Sequence, residues 1–230
     1  MIELKDISKV FRNKDIDTKA LYNINLTVAE GEFISIMGPS GCGKTTLLNI
    51  IGLIDTPNSG EYFLDKQLVS EISERERTSL RKNNFSFVFQ SFNLIDDLTL
   101  WENIELPLVY QKVTSKERTE RVNEIIEKFN LKHRAEFFPN ELSGGQQQRA
   151  AIARAIISNP RIILADEPTG NLDSTHGEEV IQLLTRLNES GTTIIMVTHS
   201  MVQAQRSQRI IHLFDGHIVT ESFAKVAVNL

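Results

Sequence analysis

Four short apolar runs recur along the chain, and helical patterns follow or separate them. The runs cover residues 32–37, 85–89, 161–165 and 192–197, and none is long enough for a helix. Such runs are typical of strands that are covered on both faces of a sheet. Helices are expected over residues 44–51, 143–157 and 174–188. Because strands that alternate with helices form right-handed crossovers, the pattern predicts an α/β fold with a mainly parallel sheet.

Other patterns predict elements beside this sheet. Residues 22–28 alternate polar with apolar positions, as in a sheet with one solvated face, and a strand pair is expected around Asp65-Lys66. Asp215-Gly216 predicts a hairpin. Residues 96–140 resemble a helical insertion, and within it residues 115–129 form one amphipathic helix with a charged outer face. We therefore expect an antiparallel β layer and a helical insertion beside the parallel core.

Composition narrows the class of protein. The 230 residues include 25 Lys and Arg against 30 Asp and Glu, and 40% are apolar, which allows a full-sized core and excludes a disordered chain. The small acidic excess argues against a protein that grips nucleic-acid phosphates. Cys42 is the single cysteine, so a disulfide framework is excluded. The first residues lack a signal-peptide core, and no stretch reaches about 18 apolar residues, so we expect a soluble cytosolic domain.

A phosphate-binding loop is the strongest chemical signal. The residues Gly38-Pro39-Ser40-Gly41-Cys42-Gly43-Lys44-Thr45 match G-x-x-x-x-G-K-[ST] between a predicted strand and a predicted helix. The glycines let backbone N–H groups surround phosphate oxygens, and the helix N-terminus adds its dipole. Lys44 is expected to reach the β- and γ-phosphates and Thr45 to ligate Mg²⁺. The alternative, a chance Gly-rich turn, does not explain the flanking strand and helix.

Polar side chains follow three of the predicted strands. Asp166 is expected to hold Mg²⁺, and Glu167 to orient or deprotonate an attacking water. The alternative is two solvated acids that begin a loop. His199 is expected beside the γ-phosphate, although a lone His is more often structural. Gln90 follows the run 85–89 and could contact Mg²⁺ or the water, and the residues alone leave its role open.

A second anion site is indicated about 100 residues downstream. Ser143 is a good N-cap, and Gly144 and Gly145 expose backbone donors at a helix N-terminus. The γ-phosphate of one nucleotide needs only one such anion site. The second site is therefore expected to serve a nucleotide that is bound to another copy of the chain, in a head-to-tail pair. Closure of that pair would add charge stabilisation and exclude water. An ordinary capped helix is the alternative, and it explains the residues Gln146 to Arg149 poorly.

In this order the motifs resemble those of the ATPase subunit of an ATP-binding cassette (ABC) transporter, over nearly the whole chain. Walker A is residues 38–45, the Q-loop is at Gln90, the signature is residues 142–146, Walker B is residues 162–166, the D-loop is residues 171–173 and the switch histidine is His199. The resemblance implies a P-loop NTPase core with a mainly parallel sheet, an antiparallel β subdomain and a helical signature subdomain. It implies one domain over residues 1–230, with about 1–90 and 160–220 in the core and β layer and about 91–159 in the helical subdomain.

The resemblance also implies roles for single residues. ATP and Mg²⁺ are the implied cofactors; Glu167 is the implied general base, His199 the γ-phosphate sensor, and Gln90 a catalytic link to the membrane partner. The implied metal ligands are Thr45, Gln90 and Asp166. The implied nucleotide-binding residues are Phe11, the loop 38–45 and Thr46, with Ser143, Gly144, Gly145 and Gln146 acting in trans and Asp173 in the D-loop. Phe11 stands where Tyr is commoner for adenine stacking, and Tyr22 is a competing candidate.

Finer motifs resemble the lipoprotein-releasing and macrolide-exporting branch of the family. They are residues 87–94, 102–108, 144–149 and 163–170. The family implies a homodimer in the ATP-bound state. Macrolide exporters usually fuse ATPase and permease, whereas this sequence stops soon after the hairpin at residues 212–219, so we expect a separate transmembrane permease that holds the protein on the cytoplasmic face of the cell membrane. The loop 93–101 is either a groove for a cytoplasmic helix of the permease or packs inward. Cys42 is either a reactive thiol or a small side chain that the loop tolerates.

Two other functions are compatible with the motifs. The first is the ATPase of a cell-division complex whose permease-like partner activates wall hydrolases, and the residues do not exclude it. The second is a cassette ATPase that acts on nucleic acid, which the acidic balance and the uninterrupted single cassette disfavour. We therefore expect no nucleic-acid partner, and the residues leave the transported substrate open.

Overall fold

A six-stranded sheet forms the centre of the molecule. The computed structural model describes residues 1–13 and 16–223, and in these ranges no helix is long and apolar enough to cross a membrane. The strand order is β10-β9-β3-β8-β7-β6, where β3, β8, β7, β6 and β9 run parallel and β10 pairs antiparallel with β9. The strands are β3 (Phe33–Met37), β6 (Phe85–Phe89), β7 (Ile162–Asp166), β8 (Thr193–Val197), β9 (Arg209–Phe214) and β10 (His217–Phe223). The predicted mainly parallel sheet is confirmed.

A four-stranded antiparallel sheet lies beside it, in the order β2-β1-β4-β5. Its strands are β1 (Ile2–Asn13), β2 (Ile16–Val28), β4 (Ser59–Leu64) and β5 (Gln67–Leu68). Asp65 and Lys66 join β4 to β5 with φ values of 50° and 67°, as a tight two-residue hairpin of type I′ requires. The predicted antiparallel layer and the strand pair around Asp65-Lys66 are therefore both present.

Seven α-helices complete the described part of the fold. They are α1 (Lys44–Ile51), α2 (Glu74–Asn84), α3 (Leu100–Tyr110), α4 (Ser115–Lys128), α5 (Gly144–Ile156), α6 (Ser174–Glu189) and α7 (Met201–Ala204), with 3₁₀ turns at Lys132–Arg134 and Pro139–Glu141. The sequence patterns did not predict α2, which buries no residue. Its local signals are a capping box, in which Ser73 and Glu76 bond each other's backbone N–H groups, and charged residues that suit the helix dipole in the first and last turns.

Two hydrophobic clusters share the central sheet. One joins the antiparallel sheet and α1 to one face of the parallel strands, through residues such as Ile36, Leu164 and Ile195. The other joins α3, α4, α5 and α6 to the opposite face, through residues such as Ile163 and Met196. Because side chains alternate between faces, a strand covered on both sides is apolar at most positions, and Ser35 on β3 is a buried exception. This explains why the strand runs in the sequence have no polar alternation.

A buried tyrosine links the two parts of the first cluster. Tyr62 on β4 is 1% exposed, and its Oη donates a 2.7 Å hydrogen bond to the backbone carbonyl of Ile51 at the end of α1. Burial, together with the nearby Asp65 carboxylate, raises the pKa of Tyr62 far above its usual value, so the phenol stays protonated and remains a donor.

The Tyr62 hydrogen bond gives a stability prediction. Tyr62→Phe keeps the ring but leaves the buried Ile51 carbonyl without this donor, so the free energy of unfolding should fall by about 1–3 kcal/mol. Tyr110→Phe is the matched control, because Tyr110 is 67% exposed. Urea unfolding of both variants provides the measurement. Equal stability of the two variants would show that the Tyr62 hydroxyl contributes nothing.

Candidate nucleotide-binding site

The parallel strands bring the predicted motifs to one edge of the sheet. Ile36 pairs with Val197, Val197 with Asp166, and Asp166 with Phe89, so the carboxyl ends of β3, β8, β7 and β6 lie within one residue of each other. The segments that leave these ends begin at Gly38, Thr198, Glu167 and Gln90. This edge is the usual position of ligand sites in open α/β sheets.

The loop after β3 closes around the Lys44 ammonium. Lys44 is 7% exposed, and its Nζ donates to the backbone carbonyls of Gly38 at 2.9 Å and Pro39 at 2.8 Å. Gly43 precedes α1 with φ +104°, and a Cβ there would lie 2.5 Å from the carbonyl oxygen of Ala20. A glycine is therefore required at this position. The result is a buried positive charge at the N-terminus of a helix, which is a site for an anion.

A carboxylate and a hydroxyl meet beside this loop. Thr45 Oγ1 donates a 2.9 Å hydrogen bond to Asp166 Oδ2, which joins the first turn of α1 to the end of β7. Partial burial raises the pKa of Asp166 and Glu167 adds to this effect, whereas the Thr45 hydrogen bond and Lys44 oppose it. Oxygen ligands from one carboxylate and one hydroxyl fit Mg²⁺, which takes few protein ligands and completes its shell with phosphate and water.

Glu167 and His199 form a pair at the ends of β7 and β8. Glu167 Oε2 lies 3.1 Å from His199 Nδ1, and the Glu167 side chain is mostly covered while the His199 side chain is mostly exposed. Glu167 has a φ of 46°, a strained conformation for a non-glycine residue that costs on the order of 1–3 kcal/mol. The Glu167 N–H donates to the Val197 carbonyl and so holds the strained residue at the sheet edge.

Two hydrogen bonds join Gln90 to Asn171. Gln90 Nε2 donates to Asn171 Oδ1 at 3.1 Å, and Asn171 Nδ2 donates to the Gln90 backbone carbonyl at 3.0 Å. Beyond Gln90, Phe92 and Asn93 have positive φ, and Arg154 on α5 donates to both of their carbonyls. The Q-loop is therefore tied to the D-loop and to the signature helix. No pattern in the sequence predicted these contacts of Asn171 and Arg154.

The signature residues begin α5 as predicted. Ser143 is the N-cap of this helix, and its Oγ accepts from the Gln146 N–H while Gln146 Oε1 accepts from the Ser143 N–H. Gly144 lies against Leu172, and a Cβ at Gly145 would lie 2.6 Å from the ring of His176. Within residues 1–13 and 16–223, no hydrogen bond joins residues 143–146 to the loop 38–46.

The D-loop aspartate caps a helix and holds a histidine. Asp173 accepts from the N–H groups of Thr175 and His176 at the start of α6, and its Oδ2 lies 2.6 Å from His176 Nδ1. The hydrogen bond from His176 lowers the pKa of Asp173. His176 thus connects the D-loop to Gly145 of the signature, and the motifs in the sequence did not identify it. A histidine three residues after a capping aspartate was the available signal.

The two aromatic candidates for base stacking differ in their surroundings. Tyr22 is stacked on His217, with ring centroids 4.6 Å apart, and Lys19 Nζ lies 4.1 Å from its centroid. Phe11 is 46% exposed on the β1–β2 ribbon, with Lys9 Nζ 5.2 Å from its ring. Because Tyr22 is already occupied by neighbours, the geometry favours Phe11.

The Cys42 side chain faces inward. It is 4% exposed and belongs to the core cluster that also contains α1. Its Sγ is 4.0 Å from Lys44 Nζ, and a Cβ at Gly38 would lie 2.7 Å from it. This packing supports the interpretation that Cys42 is a small side chain accommodated by the loop.

Comparisons with known proteins identify the class. The family model described as "ABC transporter" matches residues 21–170. The ABC transporter ATP-binding protein MJ1508 of Methanocaldococcus jannaschii is 50% identical over 95% of this chain and 98% of its own length. The macrolide export ATP-binding/permease protein MacB of Brucella melitensis is 46% identical over 96% of this chain, which spans 34% of MacB.

A solved structure has the same fold. The dimeric ATP-binding cassette MJ0796 in a post-hydrolysis state, bound to ADP and Pi, superposes with a TM-score of 0.91 and is 46% identical over 98% of this chain and 99% of its own. The chain therefore belongs to the ABC transporter family. It is an ATP-binding, ATP-hydrolysing subunit of that family, and the expected α/β cassette fold is confirmed.

Proposed function

We propose that the strand-end residues hydrolyse Mg²⁺-bound ATP by in-line attack of water on the γ-phosphate. The observation that carries this proposal is that Gly38, Gln90, Glu167 and Thr198 follow four adjacent parallel strands whose ends lie within one residue of each other in register. Lys44 and the backbone of residues 38–46 hold the phosphates, and Phe11 stacks on the base. Residues 91–159 form the helical subdomain that carries the signature.

Thr45, Asp166 and Gln90 hold the cation. The 2.9 Å contact between Thr45 and Asp166 supports this assignment, because it brings a hydroxyl and a carboxylate together beside the phosphate loop. Mg²⁺, when bound, neutralises charge on the β- and γ-phosphates. The positive charge of Lys44 acts on the same oxygens and stabilises the charge that develops on them.

Glu167 orients and deprotonates the attacking water, and His199 holds the γ-phosphate. The 3.1 Å contact with His199 aims one carboxylate oxygen, and the strained backbone of Glu167 is held by the Val197 carbonyl. A general base within reach of its water contributes about 10²- to 10⁴-fold to the rate. Glu167 is thus the residue with the largest expected effect on turnover alone.

Glu167→Gln is expected to bind ATP as the parent does and to hydrolyse it at least about 100-fold more slowly, because an amide cannot accept the proton. Phosphate release measures turnover, and a fluorescent ATP analogue measures binding. Glu189→Gln, at the far end of α6, removes the same charge and serves as the control. Turnover of Glu167→Gln within twofold of the control would contradict the role of Glu167.

The site is completed by a second copy of the chain. Ser143 is exposed at the start of α5, where Gly144 and Gly145 supply backbone N–H groups that the helix itself does not use. No hydrogen bond within the described part of the chain joins this helix start to residues 38–46, which supports its action on a partner's nucleotide. A head-to-tail homodimer then encloses two ATP molecules, and closure excludes water from both.

A mixing experiment tests this shared site. Lys44→Ala destroys one half of each site and Ser143→Arg the other half, so each variant alone should be inactive. In an equal mixture, about a quarter of the sites pair an intact Lys44 with an intact Ser143, and activity should return to that extent. A mixture no more active than the sum of its components would contradict the head-to-tail arrangement. The parent mixed with Lys44→Ala provides the reference.

The proposed membrane partner is a separate permease of the macrolide-export or lipoprotein-release type, which would keep the protein on the inner face of the membrane. In the loop 93–101, Leu100 is buried and Trp101 packs against the helical core, whereas Ile95 is 41% exposed, so the loop packs inward only in part. A separate, mostly apolar groove of about 570 Å³ lies between α2, β6 and α3. Its lining includes Phe87 on β6 and Leu106, Pro107 and Tyr110 on α3.

The groove fits a short amphipathic helix with acidic flanks. Tyr110 in its lining is an exposed large apolar residue, and Arg81 and Lys82 on α2 supply positive charge at the rim. Phe87 precedes Gln90 by three residues on the strand that ends at the site. A helix seated here would therefore contact the strand that positions Gln90.

Tyr110→Glu is expected to weaken capture of the permease from detergent-solubilised membranes by at least about tenfold, because it buries a charge against apolar surface. Tyr110→Phe keeps the ring and should capture the parent amount. Quantitative mass spectrometry of the captured membrane proteins measures the difference. Equal capture by the two variants would place the permease contact elsewhere.

A further inference from the structure

We infer that Asn171 is a positioning residue that fixes the orientation of the Gln90 side-chain amide, so that its carbonyl oxygen is available to the cation. The inference rests on the proposed role of Gln90 as a metal ligand. It assigns a role to a residue whose individual function the motifs did not predict. It follows from which atoms can donate and which can accept in the side-chain amides of Gln90 and Asn171 and in the backbone carbonyl of Gln90.

The backbone carbonyl of Gln90 fixes the orientation of the Asn171 amide. A carbonyl oxygen can only accept, so the Asn171 atom that lies 3.0 Å from it must be the amide nitrogen, Nδ2. The other end of the Asn171 amide is then Oδ1, which also can only accept. The Gln90 atom 3.1 Å from Oδ1 must therefore be the donor Nε2.

The orientation of the Gln90 amide is thereby determined. With Nε2 bound to Asn171, Oε1 points to the other side, and within the described residues it accepts no hydrogen bond. An oxygen is the atom that Mg²⁺ requires, whereas an amide nitrogen is not a ligand for this hard cation. Asn171 thus selects the one of two amide orientations that leaves the ligating atom free.

Gly170 makes room for this arrangement. A Cβ on Gly170 would lie 2.6 Å from Gln90 Nε2 and 2.8 Å from its Cδ, so the Gln90 side chain lies directly over this glycine. Arg154 holds the carbonyls of Phe92 and Asn93, which follow in the Q-loop. The start of the Q-loop is therefore held from two sides, by the D-loop and by α5.

The test uses two near-isosteric substitutions, Asn171→Leu and Asn171→Asp. Asn171→Leu removes both hydrogen bonds, whereas the carboxylate of Asn171→Asp still accepts from Gln90 Nε2 and so preserves the amide orientation. Both changes are on the surface, because Asn171 is exposed. Binding of a fluorescent ATP analogue is measured in EDTA and in a Mg²⁺ titration, and Mn²⁺ electron paramagnetic resonance reports the bound cation directly.

Mg²⁺ should increase the affinity for the nucleotide, and the Mg²⁺ concentration that gives half of this increase should be roughly three- to tenfold higher in Asn171→Leu than in the parent. This factor corresponds to the loss of one exposed hydrogen bond. Its nucleotide affinity in EDTA should stay within about twofold of the parent, which a general structural defect would not permit. Asn171→Asp should keep the parent Mg²⁺ dependence, also at the raised ionic strength that screens its charge. An unchanged Mg²⁺ dependence in Asn171→Leu overturns the inference.

Gln90→Ala separates this inference from the function on which it rests. Gln90→Ala should raise the Mg²⁺ requirement, and adding Asn171→Leu to it should cause no further change, because the two residues act through one amide. If the effects of the two substitutions on the Mg²⁺ requirement add, the positioning role of Asn171 is overturned, but the assignment of Gln90 as a metal ligand is not. An unchanged Mg²⁺ dependence in Gln90→Ala would overturn the assignment of Gln90 as a metal ligand and the inference with it.

Discussion

The hydrogen-bonded register of four parallel strands is the constraint on which the site depends. Ile36, Val197, Asp166 and Phe89 pair in sequence across β3, β8, β7 and β6. A slip of one residue would move a strand by about 3.3 Å and reverse the faces of its side chains. Because both faces are buried in apolar clusters, that slip is strongly disfavoured, and the polar residues emerge together at one edge.

Burial of the strands explains where the polar chemistry can lie. Ile162 to Ala165 are fully covered, and Asp166 is the first residue of that run to reach partial exposure. The Asp166 carboxylate is still partly buried, and this burial raises its pKa. The Thr45 hydroxyl donates a hydrogen bond to it. The strained Glu167 follows at once, held by a backbone bond from the neighbouring strand. Apolar packing of the strands therefore places these polar groups at the edge of the sheet.

Contacts outside the sheet connect the remaining motifs. Asn171 joins the D-loop to Gln90, Arg154 joins the signature helix to the Q-loop, and His176 joins Asp173 to Gly145. The apolar groove beside β6 lies at the other end of the strand that leads to Gln90. The strand that lines the groove therefore leads to the Q-loop, and the Q-loop in turn contacts α5 through Arg154.

The sequence by itself determined the elements whose signals are local. Short apolar runs predicted the central strands, and helical patterns predicted α1, α4, α5 and α6, because neither signal needs a distant partner. The motif at Gly38–Thr45 and the polar strand ends located most of the site. α2 was missed because it buries no residue and has no apolar stripe to detect.

Only the tertiary structure decided which distant side chains meet. Gln90 and Asn171 are 81 positions apart, and Thr45 and Asp166 are 121 apart, so no local pattern relates them. The choice between Phe11 and Tyr22 likewise depends on His217, which reaches Tyr22 from the far end of the chain. Hydrogen bonds and ring contacts require atoms within a few ångströms, and for residues so far apart in sequence only the packed fold supplies that distance.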